Sequence, residues 1–139
     1  MDEVYIDASE QVMGRLASMI ARELLKGRKV YVINAEKSMI SGNPKYILKI
    51  YQEKINRGDP YHGPFYPKTP ERILKRVVRG MLPKSARGRE ALKGLRVFRS
   101  KPESFEGKEF KKFDDAKIKR EQSYIDLGKL SRRLSARAR

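Results

Sequence analysis

Apolar residues recur at Leu16, Ala17, Ile20, Ala21, Leu24 and Leu25. At about 100° per residue they fall on one half of a helix and leave Arg15, Arg22 and Lys26 on the other. Gly27 follows, and a glycine there takes the left-handed conformation that stops a helix. Short apolar runs flank this segment, VYID at Val4 to Asp7 and VYVI at Val30 to Ile33. The second run is uniformly apolar, as a buried parallel strand would be. Parallel strands need a crossover of about this length. The pattern therefore predicts a strand, helix, strand start and an α/β fold with helices covering a small central sheet, parallel or mixed, of about four strands.

Beyond Ile33 the pattern breaks into the polar turn NAEKSMISGN and restarts at Asn43 and Pro44. That pair supplies a cap and a first turn for a helix through about Tyr51. Residues 57–68, RGDPYHGPFYPK, hold three prolines, two glycines and three aromatics, a composition that favours an extended loop. Thr69 and Pro70 repeat the cap and first turn, and the helix they open separates its side chains sharply. Ile73, Leu74, Val77, Val78, Met81 and Leu82 occupy one half-circumference, while Arg72, Lys75, Arg76 and Arg79 cluster on the other. After Pro83 a short helix carries Lys84, Arg87, Arg89 and Lys93, and LRVF at Leu95 to Phe98 predicts a further strand. In the segment that follows, Phe105, Phe110 and Phe113 alternate with lysines and acids. It is too mixed to bury a second core and is expected to wrap the domain or a partner. A last helix is predicted from Asp126, with Leu127, Leu130 and Leu134 on one stripe, before a close rich in Arg132, Arg133, Arg137 and Arg139. The organisation expected is a core domain over residues 1–99 and a basic C-terminal extension over 100–139.

Charge adds a partner to this picture. Residues 1–60 carry 10 Lys and Arg against 8 Asp and Glu, whereas 61–139 carry 23 against 9. Between Lys68 and Lys101, 12 basic residues face only Glu71 and Glu90. A solvated helix face ordinarily mixes Glu with Lys three or four residues apart, so this one-sided surface points to a polyanion. The exposed faces of the helix at 70–82 and the run after it are the expected phosphate contacts. In the loop at 57–68, Tyr61, Phe65 and Tyr66 are candidates to stack on unpaired bases, with Arg57 and Lys68 holding phosphates. An equally weighted alternative has these rings anchoring the loop to the core.

The same residues argue against other classes. Zero cysteines exclude disulfides and thiolate metal sites, and one histidine, His62, leaves almost nothing for zinc or imidazole chemistry. No metal or cofactor is expected. Charges are spread too evenly for a signal peptide or membrane span, which suits a soluble intracellular protein. A nucleotide-binding enzyme would need a glycine-rich turn, but only Gly14 stands before the first helix. A metal nuclease would need clustered carboxylates, and Asp7, Glu36 and Asp59 are the scattered candidates. A base-reading DNA-binding or antitermination-type protein would place Asn or Gln beside Arg on its recognition helix, and the helix at 70–82 has neither. A free-standing, nonspecific RNA- or DNA-binding protein is the remaining alternative.

Five motifs occur in order: GRLAS at Gly14 to Ser18, VINAEK at Val32 to Lys37, SGN at Ser41 to Asn43, GPFYP at Gly63 to Pro67 and RGMLP at Arg79 to Pro83. Together, over roughly residues 4–98, the chain resembles the ribosomal protein L13 family of the large subunit, in its archaeal and eukaryotic branch. The resemblance implies a three-layer α/β fold and a structural constituent of the ribosome that binds large-subunit ribosomal RNA and supports early subunit assembly and translation. It implies no catalytic role, a place in the cytoplasmic large subunit at one copy per ribosome, and neighbouring ribosomal proteins as partners. Carried over by position, Arg15 and Lys37 would sit near strand ends and touch RNA or fix loops. Arg79, Lys84, Arg87 and Arg89 would contact phosphates, Met81, Leu82 and Pro83 would be core and helix terminus, and Asn34 and Glu36 would satisfy buried backbone or pair with a base.

Overall fold

A computed structural model describes residues 3–56, 67–105, 107–113, 116–118 and 123–136. Strand β1 (Glu3–Asp7), helix α1 (Met13–Leu25) and strand β2 (Lys29–Ile33) form the opening unit. β1 and β2 pair in parallel, Val4 beside Val30 and Ile6 beside Val32. β4 (Leu95–Val97) joins β2 in parallel on its other side, giving the order β1-β2-β4. Between β2 and β4 run a 3-10 turn (Ala35–Lys37), β3 (Met39–Ser41), and helices α2 (Pro44–Asn56), α3 (Pro70–Met81) and α4 (Ala86–Lys93). β5 (Tyr124–Asp126) pairs antiparallel with β3 and leads into α5 (Leu127–Ala136). The fold is α/β, with a three-stranded parallel sheet and a separate two-stranded antiparallel sheet.

Alternation along the strands sets the two faces of the sheet. Val4, Ile6, Val30 and Val32 point to one face and join Leu16, Ile20 and Leu24 of α1 with Ile73, Leu74 and Val78 of α3 in one core. Burying a side chain of this size contributes about 1.5–3 kcal/mol relative to leaving it in water. Tyr5 and Tyr31 point to the other face and stack at 5.2 Å. Phe105 and Phe110 close on Tyr5 edge-on at 5.9 and 5.6 Å, so aromatic rings of the C-terminal segment cover this side.

That segment also extends the sheet. The Lys111 N–H donates to Tyr5 O at 3.1 Å and Lys111 O accepts from Asp7 N at 3.0 Å, which lengthens the parallel arrangement at the β1 edge. Buried Gln11 fastens it further, its Oε1 accepting the Phe113 N–H at 3.1 Å. Leu127, Leu130 and Leu134 of α5 are buried in the same core as α1 and α3.

Several local expectations differ from the structure. α2 continues past Tyr51 to Asn56, because Ile47 and Tyr51 are buried and Leu48 and Ile55 pack on the core, so tertiary contacts carry the helix on. Thr69 occupies the cap position of α3, yet its side chain makes no capping bond and its Oγ1 is buried without a hydrogen bond. The backbone and Pro70 alone open that helix. Met81, expected in the core, is 43% exposed. As the last residue of α3 it lies beyond the point where the helix meets the sheet, and Leu82 turns in instead. Asp126 ends β5 rather than starting α5, and its Oδ1 accepts the Gly128 N–H at 2.8 Å. Arg57, Tyr61, Phe65 and Tyr66 of the proline-rich loop, with Arg137 and Arg139, lie outside the described residues.

Candidate nucleic-acid interface

α3 is held by Ile73, Leu74 and Val78 against α1 and the sheet, so its opposite face is left to solvent. Arg72, Lys75 and Arg79 are exposed there, while Arg76 is half-buried at the edge of the packed face. The single acid of the helix, Glu71, pairs with Arg99 at 3.5 Å. It is thereby paired with a residue outside its own helix.

The chain then turns tightly at Leu82 to Ser85 into α4. Gly88 makes the turn possible. A Cβ at that position would lie 1.8 Å from the Pro83 carbonyl oxygen, so any side chain would push the two helices apart. Closure of the turn creates a cleft of about 420 Å³ between the end of α3 and α4. Arg76, Arg79, Lys84 and Arg89 line it with the apolar Leu82 and Leu92, and among the described residues no carboxylate lines it. Among the described residues, Arg72, Lys75, Arg79, Lys84 and Arg89 form no ion pair. Like charges gathered along one cleft repel one another, and a bound polyanion relieves that repulsion.

The remaining sequence candidates sit elsewhere. Arg87 and Lys93 lie on the other flank of α4, Arg87 donating to Leu25 O at the end of α1 at 3.5 Å and Lys93 pairing with Glu90 at 3.0 Å. Lys68 is half-buried, and its carbonyl accepts the Ser131 hydroxyl at 2.6 Å, tying α5 to the approach of α3. Arg132 and Arg133 are exposed on α5 and do not line the cleft. Arg15 is exposed on the first turn of α1 and Lys37 ends the 3-10 turn.

At the strand ends the polar groups are used internally. Asn34 takes the left-handed conformation, φ 57°, and its Nδ2 donates to Asp7 Oδ1 at 3.1 Å. The Ser9 N–H donates to the same oxygen at 2.9 Å. Burial pushes the Asp7 carboxyl up, but these hydrogen bonds, with the charge of Lys112, hold it below the usual carboxylate range. Glu36 binds through its backbone, its N–H donating to Arg99 O. No cluster of acids or histidines suited to a metal occurs among the described residues, and no described helix is long and apolar enough to cross a membrane.

Sequence reasoning missed Gly88, Lys29 and Tyr46. A glycine inside an otherwise helical run is the one available signal for Gly88. Lys29 opens the apolar run of β2 and lines a second cleft described below. Tyr46 is 64% exposed on α2, and nothing in its sequence neighbours separates it from a packed tyrosine.

Comparison with known proteins agrees with this architecture. The family described as ribosomal protein L13 matches residues 1–104. The large ribosomal subunit protein uL13 of Archaeoglobus fulgidus is 47% identical over 140 residues, covering 98% of this chain and 90% of that protein. The proteins of the same name from Methanopyrus kandleri and Methanosarcina barkeri are 46% and 43% identical, covering 93% and 95% of this chain and 84% and 97% of their own lengths. A match across three quarters of the sequence, with relatives aligned over nearly all of it, places this chain in the ribosomal protein L13 family.

Proposed function

We propose that this protein binds large-subunit ribosomal RNA, supports assembly of that subunit and works there as a structural part of the translating ribosome, without catalysing a reaction. The observation that carries the reading is the α3–α4 cleft, where Arg79, Lys84 and Arg89, without an ion pair among the described residues, stand with Arg76 beside the exposed Arg72 and Lys75. The relatives named above are large-subunit proteins, so a crowded array of phosphates is the fitting partner. Lys and Arg neutralise phosphates and release counterions, and the buried α/β core keeps them in fixed relative positions so that RNA pays the ordering cost once. The absence of Asn and Gln from α3 suits backbone contact rather than base reading.

Competition binding to large-subunit ribosomal RNA against equal masses of transfer RNA and duplex DNA, across a salt series, tests this. Preference for the ribosomal RNA that survives moderate salt is expected. With about eight phosphates contacted, log affinity falls with log salt at a slope of roughly −6 to −7. Replacing Arg72, Arg76 and Arg79 together by Ala flattens that slope by about two to three units. Equal, steeply salt-sensitive binding to all three polymers would mark a nonspecific binder and overturn the proposal.

A further inference from the structure

Helix α4 is cationic on two flanks. Arg87 and Arg89 are separated by about 200° around the helix, and each lines a different cleft. Arg89 belongs to the α3–α4 cleft described above. Arg87 lines a second cleft of about 440 Å³ between α4 and the end of α1, together with Lys29 and Lys93, one carboxylate, Glu90, and the apolar Leu24 and Leu25. The two clefts are nearly equal in size, and α4 stands between them as a wall.

The second cleft has cationic donors to offer. Arg87 spends one long hydrogen bond, 3.5 Å, on Leu25 O, and a guanidinium has five donors. Lys29 is exposed at the start of β2. Lys93 pairs with Glu90, but the two side chains are 74% and 73% exposed, so solvent screens the pair and a phosphate can displace the carboxylate. Arg28 is committed to Glu23 and supports the rim. On the floor, Gly27 has φ +85° and open space where a Cβ would stand, which lets a bulky ribbon approach the backbone.

We infer that the α1–α4 cleft seats a second RNA backbone, so that α4 lies between two phosphate strands, one in each cleft. This rests on the reading that the chain binds large-subunit ribosomal RNA. An α-helix is about 10–12 Å across with its side chains, so phosphates seated in the two clefts belong to two backbone segments at least that far apart, as neighbouring strands of a folded RNA are. A folded RNA brings separate backbone segments close together and presents phosphates to both flanks of one helix at once, whereas an acidic protein segment presents a single strand to one flank.

Hydroxyl-radical footprinting on large-subunit ribosomal RNA tests the inference with the wild-type protein, K29E/R87A and R79A/R89A. Two separate blocks of protected sugars are expected with wild type. R79A/R89A removes one block and K29E/R87A the other, and each flattens the salt slope by about 1.5 to 2. K29E alone, which changes a side chain that forms no ion pair among the described residues, weakens the second block and guards against unfolding of the double variant. Loss of the same block in both double variants overturns the inference, as do unchanged protections in K29E/R87A. Unchanged protections with loss of a neighbouring ribosomal protein from subunits containing K29E/R87A would assign the cleft to protein and overturn it as well. A wild-type protein that gives no discrete protection would instead sink the underlying RNA-binding reading.

Discussion

The strand ends and the α3–α4 cleft both gather polar side chains and put them to opposite uses. At the strand ends Asp7 accepts from Asn34 and Ser9, and Glu36 and Lys37 are bound through their backbones. Those polar groups complete the fold. In the cleft, Arg79, Lys84 and Arg89 have no ion-pair partner among the described residues, and the nearest acid on α3 is occupied by Arg99. Those cations are left for something else. Strand ends of α/β proteins often hold ligands; here Asp7 and Asn34 are tied to each other there, and the cations of the cleft stand on the helices that cover the sheet.

The sharpest way to break the contrast is Gly88→Ala. Its Cβ would meet the Pro83 carbonyl, so the turn must open, at a cost of about 1–3 kcal/mol. Because the same turn assembles the cleft, RNA affinity is expected to fall along with the unfolding midpoint. Equilibrium denaturation and filter binding on the one variant report both, and a loss of stability with RNA affinity unchanged would show that the cleft is not the contact.

Asp7→Asn removes an ionised acceptor at the strand ends and is expected to cost about 1 kcal/mol at neutral pH with no change in RNA binding. The sign of its pH dependence follows from the depressed carboxyl. A group with a lowered folded pKa contributes stability above its unfolded value, and that contribution is lost as pH falls through the folded one. Asp7 and Glu23, whose carboxyl is pushed up by burial but held low by Arg28 and Lys26, both act in this direction. Acid denaturation below about pH 4 is therefore expected to be shallower in Asp7→Asn than in wild type, and an identical acid limb would remove Asp7 from the account.

The smallest effect is expected from Glu90→Gln. Its pair with Lys93 is exposed, so stability should shift by less than about 0.5 kcal/mol. Freed of a competing carboxylate, Lys93 should bind RNA slightly better, read as a modest rise in affinity at low salt. A drop in affinity would mean that Glu90 positions Lys93 rather than competing with its ligand.

Much of this was legible in the chain itself. Alternation and helical periodicity are properties of consecutive residues, so β1, α1, β2 and the two-faced α3 follow from order alone, and the charge asymmetry follows from counting. The stop at Gly27 is local as well, since its φ of +85° needs no distant partner. The ends of α2 and α5 and the exposure of Met81 were not legible, because they depend on where another element arrives. The sorting of the cations was equally hidden. Arg76, Arg79, Lys84 and Arg89 share a cleft only because Gly88 lets α4 fold against Pro83, and Arg87 faces away only because α4 has two flanks and α1 ends beside one of them. Sequence by itself determined that the protein is an α/β fold with one strongly basic half. Tertiary structure decided which cations stand together, since convergence of side chains far apart in the chain is set by packing geometry, to which periodicity is blind.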